Sequence, residues 1–250
     1  MNGEKNALFA AVLVLLFCST CGIDEYLYLD PPERLSISGD QAAVRLPNNP
    51  SYFLHYTVYY RIYISDTPIS GVPVESQLTG INPLLYEDYS AIKRYTENEN
   101  LTPPSTLFSG RHHFKLELAS SNVDFILSSG LPATIVFNFP ILIGSIPNLT
   151  HSGTSYNLYR SNNGFTPLPP STSPSHRLFQ NTADLNNGAN AFQTDPNKNA
   201  DVAGKDNMTD SFRYTYVSLY IMAEGIDDHY SPIYSRPTHV GVFKLPETSS

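Results

Sequence analysis

Tryptophan is absent from this 250-residue chain, and its two cysteines, Cys18 and Cys21, both lie near the N-terminus. The long body that follows therefore has no disulfide framework, no cysteine-based zinc site and no thiol nucleophile. Charge is scarce too: 15% of residues are charged, and the formal net charge is −8. That acidic balance disfavours nucleic acid and anionic membrane surfaces as electrostatic partners. No Gly-x-Ser-x-Gly elbow, phosphate-binding loop, dinucleotide glycine pattern or His-Glu-x-x-His segment occurs, so the commonest hydrolase, nucleotide and zinc-protease signatures are missing.

What is present favours strands. Seventeen Tyr, 13 Phe and 20 Pro, without a long Ala/Glu/Lys/Leu stretch, predict an all-β protein. Tyr52–Ile64 alternates over thirteen residues, with Tyr56, Val58, Tyr60, Ile62 and Ile64 on an apolar face and His55, Thr57, Arg61 and Tyr63 on a wetter one. Phe212–Ala223 repeats the pattern: Val217, Leu219, Ile221 and Ala223 face one way, Tyr214, Tyr216 and Tyr220 the other. Further strands are predicted at 36–38 and 42–46 around a Gly39-Asp40 turn, at 113–118, at 133–139 as a central strand, and at 238–245. A short helix is expected around Leu84–Tyr95, although its charges leave no firm apolar stripe. Residues 161–210 are rich in Asn, Pro, Ser and Asp and read as a long polar insertion.

The N-terminus carries the strongest functional signal. An apolar run, Ala7–Phe17, follows a short polar start and ends in Cys18-Ser19-Thr20-Cys21-Gly22. A run of about a dozen apolar residues suits a secretory signal, whereas a spanning helix needs roughly 20. Residues 1–20 are thus expected to be a signal peptide, 21–32 a tether ending in Pro31-Pro32, and 33–250 one elaborated domain. The leader resembles those of bacterial lipoproteins, and the Cys-Gly-x-Asp-x-Tyr start resembles spirochaete surface lipoproteins such as those of treponemes. That resemblance implies a covalent lipid on Cys21, with Cys18 as the alternative acylation site, and a location at the cell envelope, favouring the outer membrane. It departs from the usual pattern by placing Cys18 and Thr20 where an aliphatic and a small residue are customary. Three glycosylation sequons begin at Asn100, Asn148 and Asn207; in an Asn- and Thr-rich chain they are expected by chance.

Tyr59–Asp66, Val217–Asp227 with Tyr230-Ser231-Pro232, and Val240–Phe243 resemble the third, sixth and last strands of a fibronectin type III or immunoglobulin-like sandwich. The resemblance implies that architecture with long loop insertions and little helix, and implies no activity. The core tryptophan and the corner tyrosine of that family are missing, Val217 standing at the latter position.

Candidate sites are few. Asp195, Asn197, Asn199, Asp201 and Asp206 imitate the oxygen spacing of a calcium loop, but Ala200 replaces the turn glycine and Lys198 adds a repelling charge. A solvated Asn/Asp loop is the simpler reading, and no cofactor or metal is expected. His112-His113 point to opposite faces if on a strand and read as surface histidines. Asp227-Asp228-His229 reads as a turn and Glu87-Asp88 as an ordinary surface pair. The tyrosine faces of the long strands suggest sugar stacking, weakened by the absence of Trp. These signals together favour a non-enzymatic, lipid-anchored envelope protein binding a protein or host ligand; the alternative is an envelope hydrolase or glycan binder lacking a known motif.

Overall fold

Alternation with a period of two builds the scaffold. In the computed structural model, which describes residues 27–69, 71–98, 104–118, 127–142, 145–161, 179, 200–203 and 214–246, twelve strands form two sheets. The first sheet contains β1 (Glu33–Ser38), β2 (Gln41–Leu46), β6 (Ala133–Asn138), β7 (Asn148–His151), β8 (Thr154–Tyr159) and β5 (Glu117–Leu118), ordered β1-β2-β6-β7-β8-β5. The second is built on two thirteen-residue strands, β3 (Phe53–Ser65) and β10 (Tyr214–Ile226), paired antiparallel along their length. β11 (Pro232–Tyr234) and β12 (Thr238–Lys244) pair with β10, while β4 (Phe114–Lys115) and β9 (Val202–Ala203) lie on the far side of β3. All pairings are antiparallel except β3 with β9. The all-β sandwich read from the sequence is present, as are the Gly39-Asp40 hairpin, with Gly39 at φ +56°, and the central position of β6.

The main core lies between the sheets. Val44, Leu46, Ile135, Phe137 and Leu149 from the first sheet meet Tyr56, Val58, Tyr60, Ile62, Val217, Leu219 and Ile221 from the second. These are the apolar faces the alternation marks, and their burial is the dominant stabilising term.

The opposite face of the second sheet is not wet. Three helices among the described residues, α1 (Glu75–Ile81), α2 (Pro83–Asn98) and α3 (Pro104–Gly110), cover it. Tyr63, Tyr216 and Val242 pack against Leu78, Ile81 and Leu85, while Tyr59, Tyr220 and Met222 pack against Ile92 and Phe108. Little helix is present, as expected, in three short helices that include the one expected around Leu84–Tyr95, but the expectation of a wetter outer face is corrected: these helices cover it as a third layer. Asn82 anchors it. Its Nδ2 donates to the Ile64 carbonyl (2.8 Å), and its Oδ1 accepts from Leu84 N–H (2.9 Å), capping α2, with Pro83 at the first helical position. None of the described helices is long and apolar enough to cross a membrane.

The predicted strand at 113–118 is split for a topological reason. Phe114–Lys115 pairs with Tyr60–Tyr59 of β3, but Glu117–Leu118 pairs with Tyr159–Leu158 of β8. The chain changes sheets at Leu116. The polar insertion at 161–210 falls mostly outside the described residues, but its returning end, Asp201–Ala203, is buried and forms part of the second sheet.

Gly225 on β10 shows how closely the chain packs at one sheet end. A Cβ there would lie 2.5 Å from the Tyr52 carbonyl oxygen and 3.2 Å from the side chains of Ile233 and Leu29. The backbone oxygen cannot yield as a side-chain tip does, because it accepts the Ile226 N–H (3.0 Å). Gly225→Ala is expected to cost about 1–3 kcal/mol in urea unfolding. Gly110→Ala, where a Cβ meets nothing within 4 Å, should stay within roughly 0.5 kcal/mol.

Candidate functional site

The crossing at Leu116 opens a groove of about 630 Å³ along the first half of β3. Its floor is Leu54–Val58, and its far wall is Lys115, Leu116 and Glu117 with Leu127 and Ser128. The two faces differ as strand alternation requires. Towards the core the groove is apolar, with Tyr56, Val58 and Leu127 in the inter-sheet core and Leu116 packed on it. Leu54 is an exposed large apolar residue on this strand.

Towards the helical side stands a charged group. Glu224, opposite His55 in the ladder, lies 3.3 Å from His55 Nε2 and 3.5 Å from Lys115 Nζ, and accepts a hydrogen bond from Tyr59 Oη at 3.3 Å. Burial pushes its carboxyl up; hydrogen bonds from His55 and Thr57 and the charge of Lys115 outweigh that and bring it down to about 2. The carboxylate therefore stays ionised at any ordinary pH. Such a group orients and neutralises cations; it does not shuttle protons near neutrality, for which a catalytic acid or base needs a pKa near the working pH.

Two buried polar clusters lie elsewhere. Within the sandwich, Arg160 at the end of β8 holds Asp201 bidentately (Nε–Oδ2 2.8 Å, NH2–Oδ1 2.5 Å), and Tyr60 Oη donates to Asp201 Oδ2 at 2.6 Å. The Tyr60 hydroxyl also accepts the Ser161 N–H at 2.9 Å. This cluster ties the first sheet (β8) to the second (β3) and seats the returning end of the insertion.

Beneath the helices, Asp88 of α2 accepts from Arg61 (2.6 Å), Tyr63 Oη (2.7 Å) and Arg111 (3.0 Å). His113 lies beside it, its Nδ1 3.2 Å from the Arg111 carbonyl and its ring edge-on to Phe108 and Tyr220. His239 packs on Tyr220 and Tyr89, with Nε2 3.4 Å from Ser218 Oγ. Burial lowers both histidines to about 3, so they are neutral packing groups at physiological pH.

These positions revise several sequence readings. Asp88 is no surface carboxylate, and His113 is no surface histidine: both are 4% exposed. Tyr59, Tyr63, Tyr216 and Tyr220 are buried under the helices, so these four rings cannot stack on a sugar, while Tyr214 is half-buried. Of the calcium-loop residues, Asp195, Asn197, Asn199 and Asp206 lie outside the described residues, as do Cys18 and Cys21. Asp201 is fully buried with both oxygens engaged by Arg160 and Tyr60. Among the described residues, no three His, Cys, Asp or Glu side chains gather as a metal site.

Asp227 does what a turn aspartate does, its Oδ1 accepting the N–H groups of His229 (2.9 Å) and Ser231 (2.6 Å). The Asn148 side chain accepts from Asn138 Nδ2 across β6 and β7 at 2.9 Å, so that sequon lies in a strand ladder. Asn100 and Asn207 lie outside the described residues.

Neither the groove nor its Glu224 group was identified from sequence. A weak signal existed: Glu224 interrupts the apolar run of β10, and His55 and Lys115 lie on the neighbouring strands β3 and β4. Comparison with known protein families, with characterised proteins and with solved structures returns no match to this chain.

Proposed function

We propose that this chain is a lipid-anchored, non-enzymatic protein of a bacterial cell envelope that presents its β-sandwich for binding a protein or host ligand. The observation that carries the anchor is the leader: the apolar run Ala7–Phe17 is too short to span and ends at Cys21-Gly22. A cysteine-free body makes a lone N-terminal cysteine purposeful, and acylation by more than one chain provides stable attachment where one chain is marginal. Gly22 in place of an acidic residue favours the outer membrane. The spirochaete-like start of the mature chain agrees with this reading.

The binding assignment rests on the groove beside β3, whose walls combine apolar surface with a carboxylate held between His55 and Lys115. The strand order also supports the fibronectin type III-like or immunoglobulin-like reading. β3 and β10, the segments resembling the third and sixth strands, are neighbours, with β12 beyond β10. This is the arrangement of the three-stranded sheet of such sandwiches. The helical layer over that sheet is an addition to the pattern.

Intact mass of the N-terminal peptide after bacterial expression tests the anchor. The wild type is expected to gain a diacylglyceryl and an acyl group, lost in Cys21→Ala and kept in Cys18→Ala. An unmodified wild-type peptide would overturn the lipoprotein reading, and loss in Cys18→Ala alone would move the acylation to Cys18. Turnover of peptidoglycan or chromogenic glycosides by the purified protein would overturn the non-enzymatic assignment.

A further inference from the structure

β3 pairs with β10 along one edge, and hydrogen-bond direction alternates residue by residue in such a pair. On its other edge β3 is covered only in part. The Val58 carbonyl accepts Leu116 N–H (2.8 Å), and Ile62 N–H donates to the Asp201 carbonyl (2.9 Å). Even-numbered residues of this stretch therefore turn their backbone groups away from β10. Tyr56 has the same parity, and its β10 neighbour, Ala223, sends its carbonyl to Ser235 N–H (2.9 Å) on the opposite side. The Tyr56 N–H and C=O thus face the groove, with no partner among the described residues. Continuing the antiparallel β4 register, Leu118 would sit opposite Tyr56, but Glu117–Leu118 is committed to β8. The sheet change withdraws the strand that would have closed this edge.

We propose that this edge binds an extended peptide segment of a partner protein by strand addition. The inference rests on the reading of the chain as a binder and not on the lipid anchor. A strand is the occupant because a backbone N–H and C=O pair in ladder position is matched by another backbone, and because β4 and β9 already occupy the same edge further along. Leu54–Val58 spans about 17 Å of strand, enough for four or five peptide residues. The residue opposite Tyr56 falls on the core side, against Leu116 and Leu127, and is apolar. Its neighbours fall on the outer side near His55 and Lys115. Since Glu224 already balances that pair, these positions take uncharged polar side chains. The recognised segment alternates polar–apolar–polar.

Hydrogen exchange with a selected peptide tests this. A displayed library of random ten-residue peptides is panned against the detergent-extracted full-length chain, and an enriched sequence is synthesised. In the free protein the Tyr56 amide is expected to exchange at least ~100-fold faster than that of Thr57, which faces β10. It should slow by a similar factor when peptide is added. N-methylation of alternate peptide amides, those facing β3, should abolish binding, while methylation of the intervening amides should leave it within about threefold. A Tyr56 amide already as protected as Thr57 in the free chain overturns the proposal, as does failure to enrich any alternating sequence. Tyr56 protection that rises with protein concentration alone, with a dimer in light scattering, overturns it in favour of a second copy. A peptide that binds without slowing Tyr56 exchange sinks strand addition but leaves the binder reading standing; absence of any partner on intact cells would remove that reading instead.

Discussion

Asp201→Asn is expected to destabilise the protein by about 3–5 kcal/mol, the cost of taking the carboxylate away from a buried arginine. The reason lies in what remains. Arg160 is among the largest fully buried side chains of the described residues, and it keeps its charge at any accessible pH. With asparagine opposite, one neutral oxygen must replace a bidentate carboxylate (2.8 and 2.5 Å). Tyr60 Oη, donating to the same carboxylate at 2.6 Å, loses a charge-assisted acceptor as well. The Asp201 carbonyl still receives Ile62 N–H, so β9 has no direct cause to detach. The effect should therefore be global: a melting temperature lower by roughly 10 °C with a single cooperative transition.

Replacing both members, Arg160→Met with Asp201→Leu, should recover a large part of the loss, because an apolar pair removes the desolvation cost of both ions. A loss below about 1 kcal/mol in Asp201→Asn would show the cluster to be wetter than its burial implies. The same protein also decides the calcium question. A melting temperature that does not move at millimolar calcium, in wild type or Asp201→Asn, leaves Asp201 an internal anchor. A calcium-dependent rise lost in the variant would make it a ligand.

The second large effect is with pH. Stability is expected to fall by about 2–4 kcal/mol between pH 7 and pH 5, chiefly through His113 and to a smaller extent His239. Both are lowered from the ordinary value of 6.5 to about 3. For His113 the main cause is burial; Asp88 and the hydrogen bond to the Arg111 carbonyl oppose it, while the charges of Arg61 and Arg111 add to it. For His239 it is burial, reinforced by Arg34 and His113.

The sign follows from proton counting. Below 6.5 the unfolded chain binds two protons that the folded chain refuses, so stability is complete above 6.5. It is lost progressively as pH falls from there towards about 3. At pH 5 the buried His113 contributes about 2 kcal/mol to the loss and the half-buried His239 less, together a sizeable share of an ordinary domain's 5–15 kcal/mol. Urea titrations at pH 7 and pH 5 on wild type, His113→Phe, His239→Phe and the double variant measure this. His113→Phe should remove the larger part of the pH slope, His239→Phe a smaller part and the double variant nearly all of it, whatever the cost of substitution at pH 7. Equal slopes in wild type and double variant would mean that the rings are reached by water or that other groups carry the acid response. Glu224, held at about 2 by His55, Thr57 and Lys115 against its burial, contributes only further down. Its stabilisation is present above about 4.5 and is lost as pH falls from there towards 2.

Asp88 shows why the helical layer was hard to read. Leu85, Ile92 and Asp88 share one face of α2, at positions three, four and seven apart. Leu85, Asp88 and Ile92 are all buried. An aspartate in the middle of an apolar stripe breaks it for any reader of the sequence. In the folded protein it does not, because Arg61 from β3, Arg111 from beyond α3 and the Tyr63 hydroxyl converge on it. Their separation in sequence hides this: 27, 25 and 23 residues divide Asp88 from Arg61, Tyr63 and Arg111. The wet look of the outer β3 face, with Arg61 and Tyr63 on it, has the same explanation. Those polar residues face a helix that supplies their partner.

The chain by itself determined the two long strands with their inward faces, the early hairpin, the strands at 133–138 and 238–244 and the class of fold, but not the β7–β8 hairpin or the short strands β9 and β11. Period-two alternation of Tyr, Ile, Val and Leu is a local property, and which face is apolar needs no knowledge of what covers it. The chain also carries the apolar run Ala7–Phe17 with Cys18 and Cys21, on which the proposed leader rests, because such a signal is read as linear sequence. Tertiary structure alone decided which polar residues are buried, where the chain leaves one sheet for the other, and hence where a groove opens. Asp88, Asp201 and Glu224 differ little in local sequence from solvated carboxylates. What distinguishes them is an arginine or a histidine–lysine pair brought in from distant strands, because a buried charge survives only where the fold delivers its counter-charge.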